Sequence, residues 1–167
     1  MTRLRSSLTL AALAFAQSNW AQAQQAITPD QLVGVWKFQS QVIHNASTTG
    51  KDMAGPFAGG FLTFVRDGMN LRISVNLAGA ERKQAVGYAT DEEAIQLFRS
   101  YSGYSGIVEL SSTATSEGTP VTTTIDVDLD QHGIGPHPRT YTLDGTKLTV
   151  VTKDSTTTTT TSFEKVQ

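Results

Sequence analysis

Gly60-Phe61-Leu62-Thr63-Phe64-Val65-Arg66-Asp67-Gly68-Met69-Asn70-Leu71-Arg72-Ile73-Ser74-Val75-Asn76-Leu77 is the stretch that decides the fold. Apolar and polar side chains alternate on both sides of Asp67-Gly68, and an Asp-Gly step between two such runs is a strong hairpin signal. Successive strand side chains point to opposite faces. Leu62, Phe64, Leu71, Ile73 and Val75 therefore share an inward face, and Arg72, Ser74 and Asn76 face water. With Asp67-Gly68 as the two-residue turn, Phe64 pairs with Leu71 and Leu62 with Ile73. One apolar and one polar face is the pattern of an antiparallel sheet wrapped around a core.

Upstream of the hairpin, Val33 to His44 alternates too. Gly34, Trp36, Phe38, Ser40 and Val42 fall on one face and Lys37, Gln39 and Gln41 on the other, with His44 on the inward phase at the strand's end. Pro29-Asp30 marks a turn or short helical cap before it. Asn45 to Gly60, with Gly50, Gly55, Pro56 and Gly59, reads as a long rim or lid loop. Downstream, Thr90-Asp91-Glu92-Glu93 is a capping box opening a helix that runs to about Tyr101. Ala94, Leu97, Phe98 and Tyr101 recur at helical spacing, so this helix packs on the barrel or over its mouth. Five further strands follow over Tyr104–Ser112, Val121–Leu129, Arg139–Leu143, Lys147–Lys153 and Thr157–Val166. Threonine suits strands, so the tract Thr156–Thr161 belongs to a closing strand that leaves no open edge. The whole is an all-β, eight-stranded antiparallel up-and-down barrel with one short helix.

The chain has 167 residues and a formal net charge of −2. Arg3 and Arg5, the apolar run Leu8–Ala16 and Ala21-Gln22-Ala23 have the order of a secretory signal. Cleavage after Ala23 is expected, giving a signal peptide over residues 1–23, a single barrel domain over 24–167, and a secreted or periplasmic location. The apolar run is too short to span a bilayer comfortably, and no membrane insertion is expected. With no cysteine, disulfides, thiol catalysis and Cys-ligated metals are excluded. No basic cluster points to nucleic acid. Asn45-Ala46-Ser47 is a glycosylation sequon with meaning only in a eukaryotic secretory path.

Leu32-Val33-Gly34-Val35-Trp36, Gly60-Phe61-Leu62-Thr63-Phe64 with its turn, and Phe98-x-x-Tyr101-x-x-Tyr104-x-Gly106 stand in order along the chain. Tyr141-x-Leu143-Asp144-Gly145-x-Lys147-Leu148-Thr149 and Phe163-Glu164-Lys165-Val166 follow them. In this the chain resembles the bacterial and fungal lipocalin-like domain family, a calycin-type barrel. The resemblance implies structural roles for Gly34, Trp36 and Lys165: an indole plugs one end of the barrel, and a cation from the last strand packs over it. Three departures limit what carries over. Thr122-Thr123-Thr124 stands where the family often has a His pair, the following loop lacks its Trp, and Phe163 and Lys165 replace Trp and Arg.

The inward face collects Phe38, Leu62, Phe64, Leu71, Ile73, Val75, Val108, Leu110, Ile125, Val127, Tyr141, Leu148 and Val150. A barrel this size either fills itself with such side chains or holds one small ligand. Arg139 shares the face of Tyr141, Leu148 and Val150, so its charge must meet a carboxylate, a ligand anion or solvent at the mouth. Tyr101 and Tyr104 can cap a pocket. His44, His132 and His137 lack metal-site spacing, and neither metal nor cofactor is expected. The leading reading is a barrel binding a small hydrophobic or amphipathic molecule through Phe38, His44, Phe64, Tyr101, Tyr104, Arg139 and Tyr141. The alternatives are a cyclase- or isomerase-type enzyme using Tyr or His as acid and base, and a filled barrel serving as a structural or interaction module.

Overall fold

The computed structural model describes residues 25–45, 52–80, 90–129 and 133–166. Residues 1–24, which hold the expected export signal, lie outside these. So do Ala46 and Ser47 of the sequon, and His132.

A short helix, α1 (Pro29–Leu32), leads into β1 (Gly34–Asn45), β2 (Asp52–Ala54), β3 (Phe57–Asp67) and β4 (Asn70–Gly79). Helix α2 (Asp91–Arg99) precedes β5 (Tyr101–Leu110), β6 (Thr119–Asp128), β7 (Gly135–Asp144), β8 (Lys147–Lys153) and β9 (Thr157–Lys165). Every pairing is antiparallel, in the order β2-β1-β3-β4-β5-β6-β7-β8-β9, and β1 also pairs with β9. The eight long strands thus close into a barrel, as expected, and β2 is an extra short strand on β1 inside the stretch read as a loop.

The hairpin keeps its expected faces but not its register. Asp67 pairs with Asn70, Phe64 with Ile73 and Leu62 with Val75, so the turn residues are Gly68-Met69. Gly68 has φ of 60°, and a tight hairpin turn of the II′ kind puts its glycine first. Moving the turn by one residue shifts every pair by two, which leaves each side chain on its original face.

Three bulges were not legible, and each reverses the alternation beyond it. Gln39 is the extra residue of β1 opposite Phe163-Ser162, Asp126 that of β6 opposite Ser105-Gly106, and Ala58 that of β3. Beyond Gln39 the inward phase passes to Gln41 and Ile43, while Val42 and His44 turn out. Beyond Asp126 it passes to Asp128, and Val127, expected on the inner wall, is half exposed on the outside.

Helix α2 has the capping box read from sequence: Thr90 Oγ1 accepts from Glu93 N–H at 3.2 Å, and Glu93 Oε2 accepts from Thr90 N–H at 3.1 Å. It stops at Arg99, with Tyr101 already in β5, and buries none of its side chains.

The core is the barrel interior, from Leu32 and Trp36 at one end through Phe64, Ile73, Ile125, Tyr141 and Leu148, all 0–1 % exposed. Among the described residues no helix is long and apolar enough to cross a membrane.

Candidate functional site

The end carrying α1 and the β3–β4 and β7–β8 turns is sealed by side chains. Trp36 stands at its centre, fully buried, its indole N–H donating to Leu32 C=O at 2.7 Å. Lys165 Nζ lies 5.1 Å from the Trp36 ring centroid and donates to Gln31 C=O at 3.1 Å, so one cation ties the last strand, the plug and α1 together. Arg66 and Asp30 pair beside it, and Ile27 N–H donates to the buried Thr119 Oγ1 at 3.0 Å. Gly34 enters the barrel with φ of 130°, and a Cβ there would sit 3.1 Å from Lys165 Cε. The three residues assigned structural roles meet at this one point.

Above the plug, the strands position two edge-on aromatic pairs. Phe64 and Tyr141 have ring centroids 6.2 Å apart, Phe38 and Phe163 6.1 Å. Leu62, Ile73 and Val75 complete an apolar wall.

Polar groups then interrupt it. Arg139, two residues before Tyr141 on β7, shares its inward face and is only 8 % exposed. Its guanidinium carbon lies 5.0 Å from the Tyr104 ring centroid. The arginine therefore stays inside the barrel instead of reaching solvent at the mouth. Its Nη1 is buried without a hydrogen-bond partner, as are Tyr141 Oη, Thr123 Oγ1 and Gln41 Oε1. Among the described residues no carboxylate forms an ion pair with Arg139. Burial pushes the Tyr141 phenol above its ordinary pKa, against the opposing pull of the Arg139 charge and the nearby Thr123 hydroxyl. Tyr141 is accordingly a proton donor at neutral pH.

Phe38, Phe64, Tyr104, Arg139 and Tyr141 are thus gathered inside, while two expected members are not. His44 points outward beyond the Gln39 bulge, with Nδ1 2.9 Å from Asp52 Oδ1. Tyr101 belongs to the same strand as Tyr104, and a spacing of three places them on opposite faces. Its hydroxyl donates to Asn76 Oδ1 at 2.7 Å, outside the barrel. Thr123 and Gln41 are among the interior polar residues that the sequence reading missed. Thr123 was detectable, since Val121-x-Thr123-x-Ile125 shares one phase. Gln41, whose Nε2 donates to the buried Thr161 Oγ1 at 3.2 Å, was hidden by the bulge. Among the described residues no group of three His, Asp or Glu could hold a metal.

A closed eight-stranded barrel, plugged at one end by an indole under a cation, is of the lipocalin type, a ligand-binding kind of barrel. Residues 33–166 match the family model of the lipocalin-like domain, and the chain belongs to that family. No curated protein matches it.

Proposed function

We propose that the protein is exported, begins at Gln24 once residues 1–23 are removed, and binds one small, mostly apolar molecule inside its barrel. The observation that carries the binding reading is the mixed interior. An apolar wall surrounds Arg139 Nη1 and Tyr141 Oη, both buried and unpaired. A self-filling core pairs its buried polar groups or replaces them with apolar ones. A pocket keeps a few such groups to orient what it binds. This weighs against the filled-module reading. An acid–base enzyme needs a base beside its acid, and His44, the histidine expected inside, lies outside.

The test is mass spectrometry of the protein recovered from the periplasm or medium of its own host. The expected result is an intact mass beginning at Gln24 and, under native conditions, a non-covalent adduct of one small molecule. Retention of residues 1–23 would overturn the export reading. The absence of any adduct, together with failure of the delipidated protein to bind the neutral probe N-phenyl-1-naphthylamine, would overturn the binding reading.

A further inference from the structure

We infer that the bound molecule is an amphipathic monoacid whose single carboxylate is received by Arg139 and Tyr141 and whose apolar part lies along the aromatic wall. The inference rests on the binding reading above and names its ligand class. It begins with the charge. A guanidinium does not lose its proton in a protein, so burial cannot be relieved by neutralisation as it can for a lysine. An unpaired buried cation is expensive, and Arg139 has no carboxylate partner among the described residues. A ketone, ester or amide oxygen would satisfy its N–H groups and leave the charge uncompensated. A carboxylate answers both needs.

The geometry agrees with that chemistry. Tyr104 lies within cation–π distance of the guanidinium, and the fork of N–H donors that receives a carboxylate lies in the guanidinium plane. Tyr141, two residues along the same face, remains protonated and adds an O–H donor, and the Thr123 hydroxyl lies nearby. Arg139 Nη1, Tyr141 Oη and Thr123 Oγ1, all unpartnered in the protein, can each donate to an anionic oxygen. Lys165, the other cation on the inward phase among the described residues, is spent at the plug on Trp36 and Gln31 C=O, so Arg139 supplies the charge above it. One positive charge balances a monoanion and leaves a phosphate dianion half compensated. Phe38, Phe64 and Phe163 then supply burial for a hydrocarbon or aromatic body.

The experiment uses delipidated protein over residues 24–167 at pH 7.5, with N-phenyl-1-naphthylamine as the displaced probe. Two matched pairs compete for the site: decanoic acid against decanol, and 1-naphthoic acid against 1-naphthalenemethanol. At least one acid is expected to bind about tenfold or more tightly than its alcohol, the scale of a charge-assisted hydrogen bond. Arg139→Met should erase that preference while the probe still binds, Arg139→Lys should keep part of it, and Tyr141→Phe should weaken the acid several-fold and the alcohol less, since its donor bond to a charged oxygen is the stronger. If both alcohols bind as tightly as their acids, or the acid preference survives Arg139→Met, the acid assignment is overturned and the apolar-ligand reading stands. If neither the probe nor any competitor binds, both readings fall. The wild-type comparison needs no variant, so a poorly folding Arg139→Met does not remove the test.

Discussion

Replacing Trp36 by alanine tests the plug on which the barrel rests. The indole is fully buried, donates to Leu32 C=O at 2.7 Å and carries Lys165 Nζ 5.1 Å from its centroid. Truncating a buried aromatic costs about 3–5 kcal/mol. The lost hydrogen bond contributes about 1 kcal/mol of that and the cation about 0.5–1 kcal/mol. Lost burial and the cavity left beneath α1 account for the remainder. Against a total stability of about 5–15 kcal/mol, and with Tm moving about 4 °C per kcal/mol in a domain of this length, melting should fall by roughly 12–20 °C. Trp36→Phe keeps a ring in place and removes the N–H donor, so it should lose a minor part of that. Lys165→Met should cost a few degrees in the wild type and less in Trp36→Ala, where the aromatic partner is already gone and only the hydrogen bond to Gln31 C=O remains to be lost. Far-UV circular dichroism melts of the five proteins, the double variant included, decide the matter. A Trp36→Ala variant melting within about 3 °C of wild type would refute the argument that the indole holds this end together.

Two further predictions concern the backbone and the surface. Gly34→Ala puts a Cβ on a residue at φ 130° and against Lys165 Cε, and should cost about 1–3 kcal/mol, read as a fall in Tm; an unchanged Tm would contradict the strain. Arg72 holds the Asp126 carboxyl below its ordinary pKa of 3.8, with Oδ2 2.5 Å from Nη2. A depressed carboxylate stabilises the fold above its unfolded pKa and loses that contribution as pH falls through the depressed value. The Asp126→Asn variant should therefore melt slightly lower than wild type at pH 7, by at most about 1 kcal/mol for so exposed a pair. The gap should close in strong acid, and a gap of constant size across melts from pH 2.5 to 7 would contradict it.

The alternation in Leu62, Phe64, Leu71, Ile73 and Val75 gave the right faces even though the turn lies one residue later, because a two-residue change of pairing preserves phase. The plug was legible for a similar reason: Gly34, Trp36 and Lys165 precede or avoid every irregularity in their strands. What failed lies past a bulge or across a misplaced boundary. His44 was assigned by counting from Trp36, and the count breaks at Gln39. Val127 was counted from Ile125 across Asp126. Tyr101 was given to the end of the helix with the strand beginning at Tyr104, and it belongs to that strand, where a spacing of three means opposite sides. A bulge adds one residue on one strand opposite a partner that has no matching residue, so it is a property of the pair, and periodicity within one strand carries no trace of it.

The short strand β2 has a bearing on how copies of this protein behave together. Strand β1 pairs with β3 only over Gly34–Lys37 and, higher up, with β2 over Val42–His44. Among the described residues this leaves two short backbone edges beside β1: the outer side of β2, and the side of β3 that faces away from β4 over Phe57–Gly60. Free edges are templates for self-association, and natural sheets blunt them by shortness, charge, proline or bulges. The first edge is three residues long and begins with Asp52. The second follows Pro56 and is distorted at Ala58. Neither presents the long, flat row of donors and acceptors that a neighbouring molecule would need to extend the sheet. In a chain with so many threonines in strands, and no disulfide to fasten it, these two edges are thereby poor templates for polymerisation through the backbone.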